Sequence, residues 1–155
     1  MKVFEVMTKN VVTLKKDASV LEAMKLMKEK DIGIVVIEDD NEAIGVITDR
    51  DIIILLAREI STNTNITKVM KKYVITINGE EPIDRASDMM GYMQVRRLIV
   101  VNDTNKIIGI LSITDLLRYP LLEEYALEAL LEISYNYSTP NTNFDKELQT
   151  NAYIL

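Results

Sequence analysis

The chain has 155 residues, 48% of them hydrophobic and 27% charged, with a net charge of −6; that is a globular, soluble composition with enough length for one domain or two small halves sharing a core. The acidic balance and the lack of any Lys/Arg cluster point away from nucleic acid as the main partner. With no Cys and no His there is no disulfide or thiol chemistry and the commonest general base and metal ligand are missing, while no apolar run reaches the roughly 20 residues of a membrane-spanning helix, so the expectation is a cytoplasmic protein with no membrane partner.

In chain order, Val11-Val12-Thr13-Leu14 reads as a short β-rich strand, followed by the polar turn Lys15 to Ser19 with Asp17 or Ser19 placed to cap a helix. Val20, Ala23, Met24 and Met27 fall at helical spacing and give that helix one apolar stripe. Ile32 to Ile37 is a continuous aliphatic run, the mark of a strand buried on both faces. Glu38 to Glu42 is a turn, Ala43 to Ile47 the next strand, and Asp51 opens a second helix reaching about Arg58. The half reads β-α-β-β-α. Residues 59–68 are polar and read as a linker.

The second half repeats the first. A shift of 63 positions pairs Met7 with Met70, Lys9 with Lys72, Val11 with Val74, Thr13 with Thr76, Ala23 with Ala86 and Met27 with Met90. One extra residue in the second turn then pairs Gly45 with Gly109 and Asp51 with Asp115. Val74 to Ile77 is the strand, Pro82 suits the first helical turn, and Ile83, Ala86, Met90 and Met93 form the stripe. Leu98 to Val101 and Ile107 to Leu111 are the paired strands, and Asp115 starts a last helix that Pro120 ends. The expected organisation is a first domain over 1–58, the linker 59–68, a second domain over 69–120, and a tail segment over 121–155. Within that segment a helix over Leu121 to Ser134 would bury Leu122, Ala126, Ala129 and Ile133, and the chain from Asn136 reads as weakly ordered.

The pattern written twice is Gly45-Val46-Ile47-Thr48-Asp49-Arg50-Asp51 and Gly109-Ile110-Leu111-Ser112-Ile113-Thr114-Asp115. A hydroxyl residue three before an Asp at a strand-to-helix turn is an ordinary helix cap. The same pair can hydrogen-bond a diol such as a ribose, since a carboxylate presents acceptors to two hydroxyl donors. The eight Met residues fit core packing better than metal binding, and Glu38-Asp39-Asp40 and Asp103 fit solvated turns.

Two tandem β-α-β-β-α halves, each led by a Met-x-Lys turn (Met7-Thr8-Lys9 and Met70-Lys71-Lys72) and each ending in Gly-x-x-Thr/Ser-x-x-Asp, resemble a pair of CBS domains over about residues 3–119. The resemblance implies an α/β (α+β) fold in which two three-stranded sheets form an intramolecular pseudo-two-fold module. Its clefts would hold adenosine compounds: AMP, ADP, ATP or S-adenosylmethionine. It assigns Asp51 with Thr48 to one ribose and Asp115 with Ser112 to the other. It places Val12-Thr13 and Ile75-Thr76 beside the adenines and Arg96 or Arg97 on phosphate, to which arginine's planar fork is suited. In the first half Gly33 and Ile34 stand where the second has Arg96 and Arg97, so the first cleft is expected to prefer a less charged adenosine compound or stay empty, with Arg50 as a charge from another direction.

The function this implies is a non-catalytic regulatory module, with an adenosine ligand in place of any cofactor, acting as a homodimer on an unidentified protein partner. The alternative is a ligand-free module for dimerisation and protein interaction. An enzyme is the poorest reading, because no nucleophile stands beside a base and there is no Gly-rich phosphate loop.

Overall fold

The computed structural model describes residues 1–138, with side chains through Tyr135; the remainder of the expected tail lies outside the described residues. The elements are α1 (Val3–Val6), β1 (Thr13–Lys15), α2 (Val20–Lys30), β2 (Ile34–Asp39), β3 (Glu42–Thr48), α3 (Asp49–Ala57), β4 (Thr76–Asn78), α4 (Ile83–Met93), β5 (Arg97–Val101), β6 (Ile107–Ser112), α5 (Ile113–Leu116) and α6 (Glu123–Ser138). They build two three-stranded sheets, β1-β2-β3 and β4-β5-β6. In each, the middle strand runs parallel to the first and antiparallel to the third. The α+β repeat architecture stands as expected, with most strands displaced by one or two residues from their expected limits.

The chain folds as two compact units that do not follow the sequence repeats. One is Val12–Val74; the other joins Met1–Val11 to the described residues from Ile75 onward.

In Val12–Val74, Ser19 rather than Asp17 caps α2: its hydroxyl accepts the Glu22 N–H while the Glu22 carboxylate accepts the Ser19 N–H at 2.7 Å. The helix ends on Asp31 in the left-handed region at φ 53° and buries Val20, Ala23 and Met27 against Val35, Ile37 and Ile47. Val36 and Val46 are buried on the other face of the sheet, as a continuous aliphatic run requires. Asp40 and Asn41, with φ of 49° and 63°, join the paired residues Asp39 and Glu42. Two consecutive positive φ values are the signature of a two-residue hairpin turn whose twist matches the strands.

The stretch 59–68 is more than a spacer. The carbonyls of Thr62 and Thr64 accept the N–H groups of Leu21 and Val20 at 2.8 and 3.0 Å, two donors that the first turn of α2 leaves without an internal partner. Ile66 donates to the Ala18 carbonyl at 2.8 Å, and its side chain is fully buried in the core of this unit. Of the two apolar residues in this polar run, Ile66 is buried and Ile60 exposed, a difference that composition averaged over the stretch conceals.

Lys15 and Glu38 face each other across β1 and β2 and form an ion pair at 2.5 Å with Glu38 buried. The Lys15 ammonium holds the Glu38 carboxyl below its ordinary range, outweighing the burial that pushes it up, and the Asn41 N–H at 2.7 Å adds to the lowering. A carboxyl with a depressed folded-state pKa stabilises above its unfolded value of about 4.3 and loses that contribution as pH falls through the folded value. Stability should therefore decline from about pH 4 downward, and Glu38→Gln should flatten that acid limb in urea titrations run at successive pH values. An equal slope in both proteins would place the acid sensitivity elsewhere.

In the other unit, α1 buries Val3 and Val6 in a core otherwise drawn from residues after Val74. The Val3 and Phe4 N–H groups donate to the carbonyls of Glu81 and Gly79, both at 2.9 Å. Helix α4 ends on Gln94 at φ 57°, the counterpart of Asp31, and Pro82 sits at its N-cap rather than inside the first turn. The last helix expected from Asp115 to Pro120 is a single turn, α5, followed by a 3-10 turn at Pro120–Leu122. From there α6 runs to Ser138, three residues into the stretch read as tail, and Leu122, Ala126, Ala129 and Ile133 are buried as their spacing predicts. It lies close on α4: the Ser87 hydroxyl donates to the Tyr125 carbonyl at 2.6 Å, and a Cβ on Gly91 would come within 2.8 Å of the Glu132 Cδ.

Candidate functional site

The residues singled out for ligand binding gather, in each unit, at one end of one sheet. In the unit Val12–Val74, β1 and β2 start, and β3 ends, at the same edge, which brings Val12-Thr13, Gly33 and Thr48-Arg50-Asp51 to one place: Thr13 pairs with Val36, Ile34 with Thr48, and the Gly33 carbonyl accepts the Asp49 N–H at 3.0 Å. In the other unit Ile75-Thr76, Arg96-Arg97 and Ser112-Asp115 assemble the same way. Thr76 pairs with Ile99, Arg97 with Ser112, and the Arg96 carbonyl accepts the Ile113 N–H at 3.1 Å. The matching bonds make Gly33 the structural counterpart of Arg96. Arg96 and Arg50 are exposed and Arg97 is half-buried.

Both motif carboxylates are built into helix caps. α3 begins at Asp49 and α5 at Ile113, two residues before the Asp that was expected to open each helix, because Thr48 and Ser112 take the cap position and put the Asp at the third helical residue. Asp51 Oδ2 accepts the Thr48 N–H at 2.9 Å and its hydroxyl at 2.7 Å. Asp115 Oδ2 accepts the Ser112 N–H at 2.8 Å and its hydroxyl at 2.6 Å. The carboxylates are thereby fixed in direction, each keeping Oδ1 turned away from the cap. The cap and the diol acceptor are compatible uses of one side chain.

The partner of Oδ1 differs between the units, and it comes from the Met-x-Lys turns. Lys71 Nζ lies 3.0 Å from Asp51 Oδ1, both side chains about one-sixth exposed at 17% and 16%. The Thr8 hydroxyl donates to Asp115 Oδ1 at 3.2 Å, and Arg118 reaches the same oxygen at 3.1 Å. Lys71 and Thr8 occupy the same position of the repeat. Each turn pairs with a strand by two backbone bonds, Lys71 with Val46 and Thr8 with Ile110, all four at 2.9 Å. Each also lays its methionine on the motif glycine: a Cβ on Gly45 would sit 2.8 Å from Met70 Cγ, and one on Gly109 would sit 2.9 Å from Met7 Cγ. Met and Gly in these motifs are thus two halves of one contact.

Thr8, Lys71 and Arg118 are absent from the sequence-based set. The repeat shift aligned Thr8 with Lys71, but nothing in the spacing says that each turn docks on the strand carrying the motif Asp. Among the described residues no group of three or more acidic side chains converges to hold a metal ion, and no helix is long and apolar enough to cross a membrane.

The family model of the CBS domain matches residues 3–58 and 66–122. The CBS domain-containing protein YhcV of Bacillus subtilis is 31% identical over 132 residues, 84% of this chain and 94% of that protein. The uncharacterized protein MJ1232 of Methanocaldococcus jannaschii is 36% identical over 118 residues, which are 76% of this chain and only 38% of that longer protein. Among solved structures, the CBS domain pair of protein MJ0100 in complex with 5′-methylthioadenosine and S-adenosylmethionine is similar with a TM-score of 0.67 and 28% identity, covering 76% of this chain and 98% of that one. With both repeats matched and the duplicated motif seated at two equivalent sheet ends, this chain belongs to the CBS domain family, of which it carries two tandem copies.

Proposed function

We propose that the protein is a regulatory module that binds an adenosine-type ligand and performs no chemistry on it. The observation that carries this reading is the pair of equivalent sheet ends, each presenting a cap-fixed carboxylate beside a strand start lined by Val12-Thr13 or Ile75-Thr76. Such a carboxylate is an acceptor held ready for a ribose diol, and aliphatic strand residues with free edges suit an adenine ring. The likeness to a CBS pair solved with 5′-methylthioadenosine and S-adenosylmethionine supports the same ligand class. Arg96, Arg97 and Arg118 all lie at the Asp115 end, so that end is the better acceptor of a phosphorylated ligand such as AMP, ADP or ATP.

In this reading the protein works in the cytoplasm as a homodimer. Ligand stabilises one arrangement of the two copies and so informs a protein partner, by no more than its differential affinity for the two arrangements. Ile53, Ile54 and Leu56 on α3, and Leu127, Leu131 and Tyr135 on α6, are exposed apolar side chains available for such contacts.

Thermal unfolding with AMP, ADP, ATP and S-adenosylmethionine tests the proposal. A ligand at 100 times its dissociation constant stabilises by about 2.7 kcal/mol. The shift should appear with at least one of them and shrink in Asp115→Asn. Because that change also weakens a helix cap, the ligand-induced shift is compared within each variant. Unchanged melting with all four in the wild-type protein would favour the ligand-free interaction module instead.

A further inference from the structure

The two motif carboxylates are equivalent in sequence and unequal in what a ligand must displace. A carboxylate offers about four lone-pair positions. Asp51 spends two on Thr48 and one on the Lys71 ammonium, so a diol with two donors has to evict Lys71. Asp115 spends two on Ser112, one on the Thr8 hydroxyl at 3.2 Å and one on Arg118, whose side chain is 69% exposed. An exposed guanidinium leaves at little cost, and a neutral hydroxyl at that distance is a weak competitor. An ammonium paired with a mostly buried carboxylate is a strong one.

We propose that Lys71 is the specificity-determining residue of the Asp51 end, barring adenosine ligands that carry no anionic group and admitting those that carry a phosphate. This rests on the adenosine-binding reading above. A ligand that brings only hydroxyls breaks the Lys71–Asp51 pair without bringing an anion in place of the carboxylate. A ligand with a 5′-phosphate breaks the same pair and supplies a new anion, within reach of a compact charge on a flexible four-carbon stem. The strand comparison alone points the opposite way, since Gly33 and Ile34 bring no charge where Arg96 and Arg97 do. The cation of this end enters instead from the turn that precedes the second repeat. At the other end the same position is Thr8, so no such bar exists there.

The chain supplies its own control, because Thr8 shows that the turn forms the same two backbone bonds with a threonine in that place. Binding of AMP and of 5′-methylthioadenosine is measured by titration calorimetry on full-length Asp115→Asn, which isolates the Asp51 end, and on Asp115→Asn combined with Lys71→Thr. The ratio of AMP affinity to 5′-methylthioadenosine affinity should fall by about tenfold when Lys71 is replaced, the worth of one charge-assisted bond. The reciprocal pair, Asp51→Asn with and without Thr8→Lys, reads the same ratio at the Asp115 end and should show it rise. A ratio that Lys71→Thr leaves unchanged, or raises, overturns the role of Lys71 while leaving adenosine binding intact. Failure of both ligands to bind the wild-type chain overturns the adenosine reading and this inference with it.

Discussion

Ile66→Ala should destabilise the unit Val12–Val74 by about 2–5 kcal/mol, the usual cost of emptying a fully buried aliphatic site. Ile66 has no exposed surface, and it is the apolar residue by which the stretch between the two repeats enters the core beside Ala18, Val20 and Ile52. The urea midpoint at neutral pH is the measurement, and Asn63→Ala in the same stretch is the comparison, since Asn63 is exposed and contributes no side chain to that core. A loss for Ile66→Ala no greater than for Asn63→Ala would mean that the stretch is a passive connection. A selective loss would mean that the first unit ends only after Ile66 and the carbonyls of Thr62 and Thr64 have closed over the start of α2.

The second large effect is expected at Gly45. A Cβ there would lie within 2.9 Å of the Lys71 carbonyl oxygen as well as 2.8 Å from Met70 Cγ, and that carbonyl is pinned by its bond from the Val46 N–H. Relief therefore requires the backbone of the turn to move, and overpacking of this kind costs about 1–3 kcal/mol. For Gly109→Ala the three nearest atoms are all in the Met7 side chain, with Cγ and Cε at 2.9 and 3.1 Å, and an unbranched thioether adapts readily. Gly45→Ala should thus cost clearly more than Gly109→Ala in denaturant titrations, although the two glycines hold the same place in the motif. Equal losses would show that the Met70 side chain, rather than the Lys71 backbone, decides the matter.

These contrasts mark what the sequence made legible. The short β-rich and continuous aliphatic runs and the helical stripes led by Val20-Ala23-Met27 and Ile83-Ala86-Met90 disclosed every strand and long helix of the two repeats, because apolar patterning is a local property of the chain. The duplicated Gly-x-x-Thr/Ser-x-x-Asp disclosed Thr48 with Asp51 and Ser112 with Asp115, and the resemblance to CBS domains pointed to the strand-start residues and arginines that the fold brings to the same sheet ends. What stayed hidden was set by tertiary pairing. Thr8 and Lys71 acquire their carboxylate partners only because Met1–Val11 joins the later repeat and Lys71 returns to β3. The helix limits differ from the expected ones for a local reason: a Thr or Ser ending a strand caps the helix itself, so Asp51 and Asp115 fall inside it. α1 has four residues, too few for any periodicity to show.

The assignment of Met1–Val11 to the later unit also fixes an order of events during synthesis. Val12–Val74 is one uninterrupted segment, so all of its partners have been made once residue 74 is added, and a nascent chain can complete it early. Val3 and Val6 are translated before any of it, yet the core that buries them draws on residues as late as Ile133. Such widely separated contacts carry the closure cost of the whole intervening chain and form slowly. Val3 and Val6 are thus covered only after residues as late as Ile133 have been made.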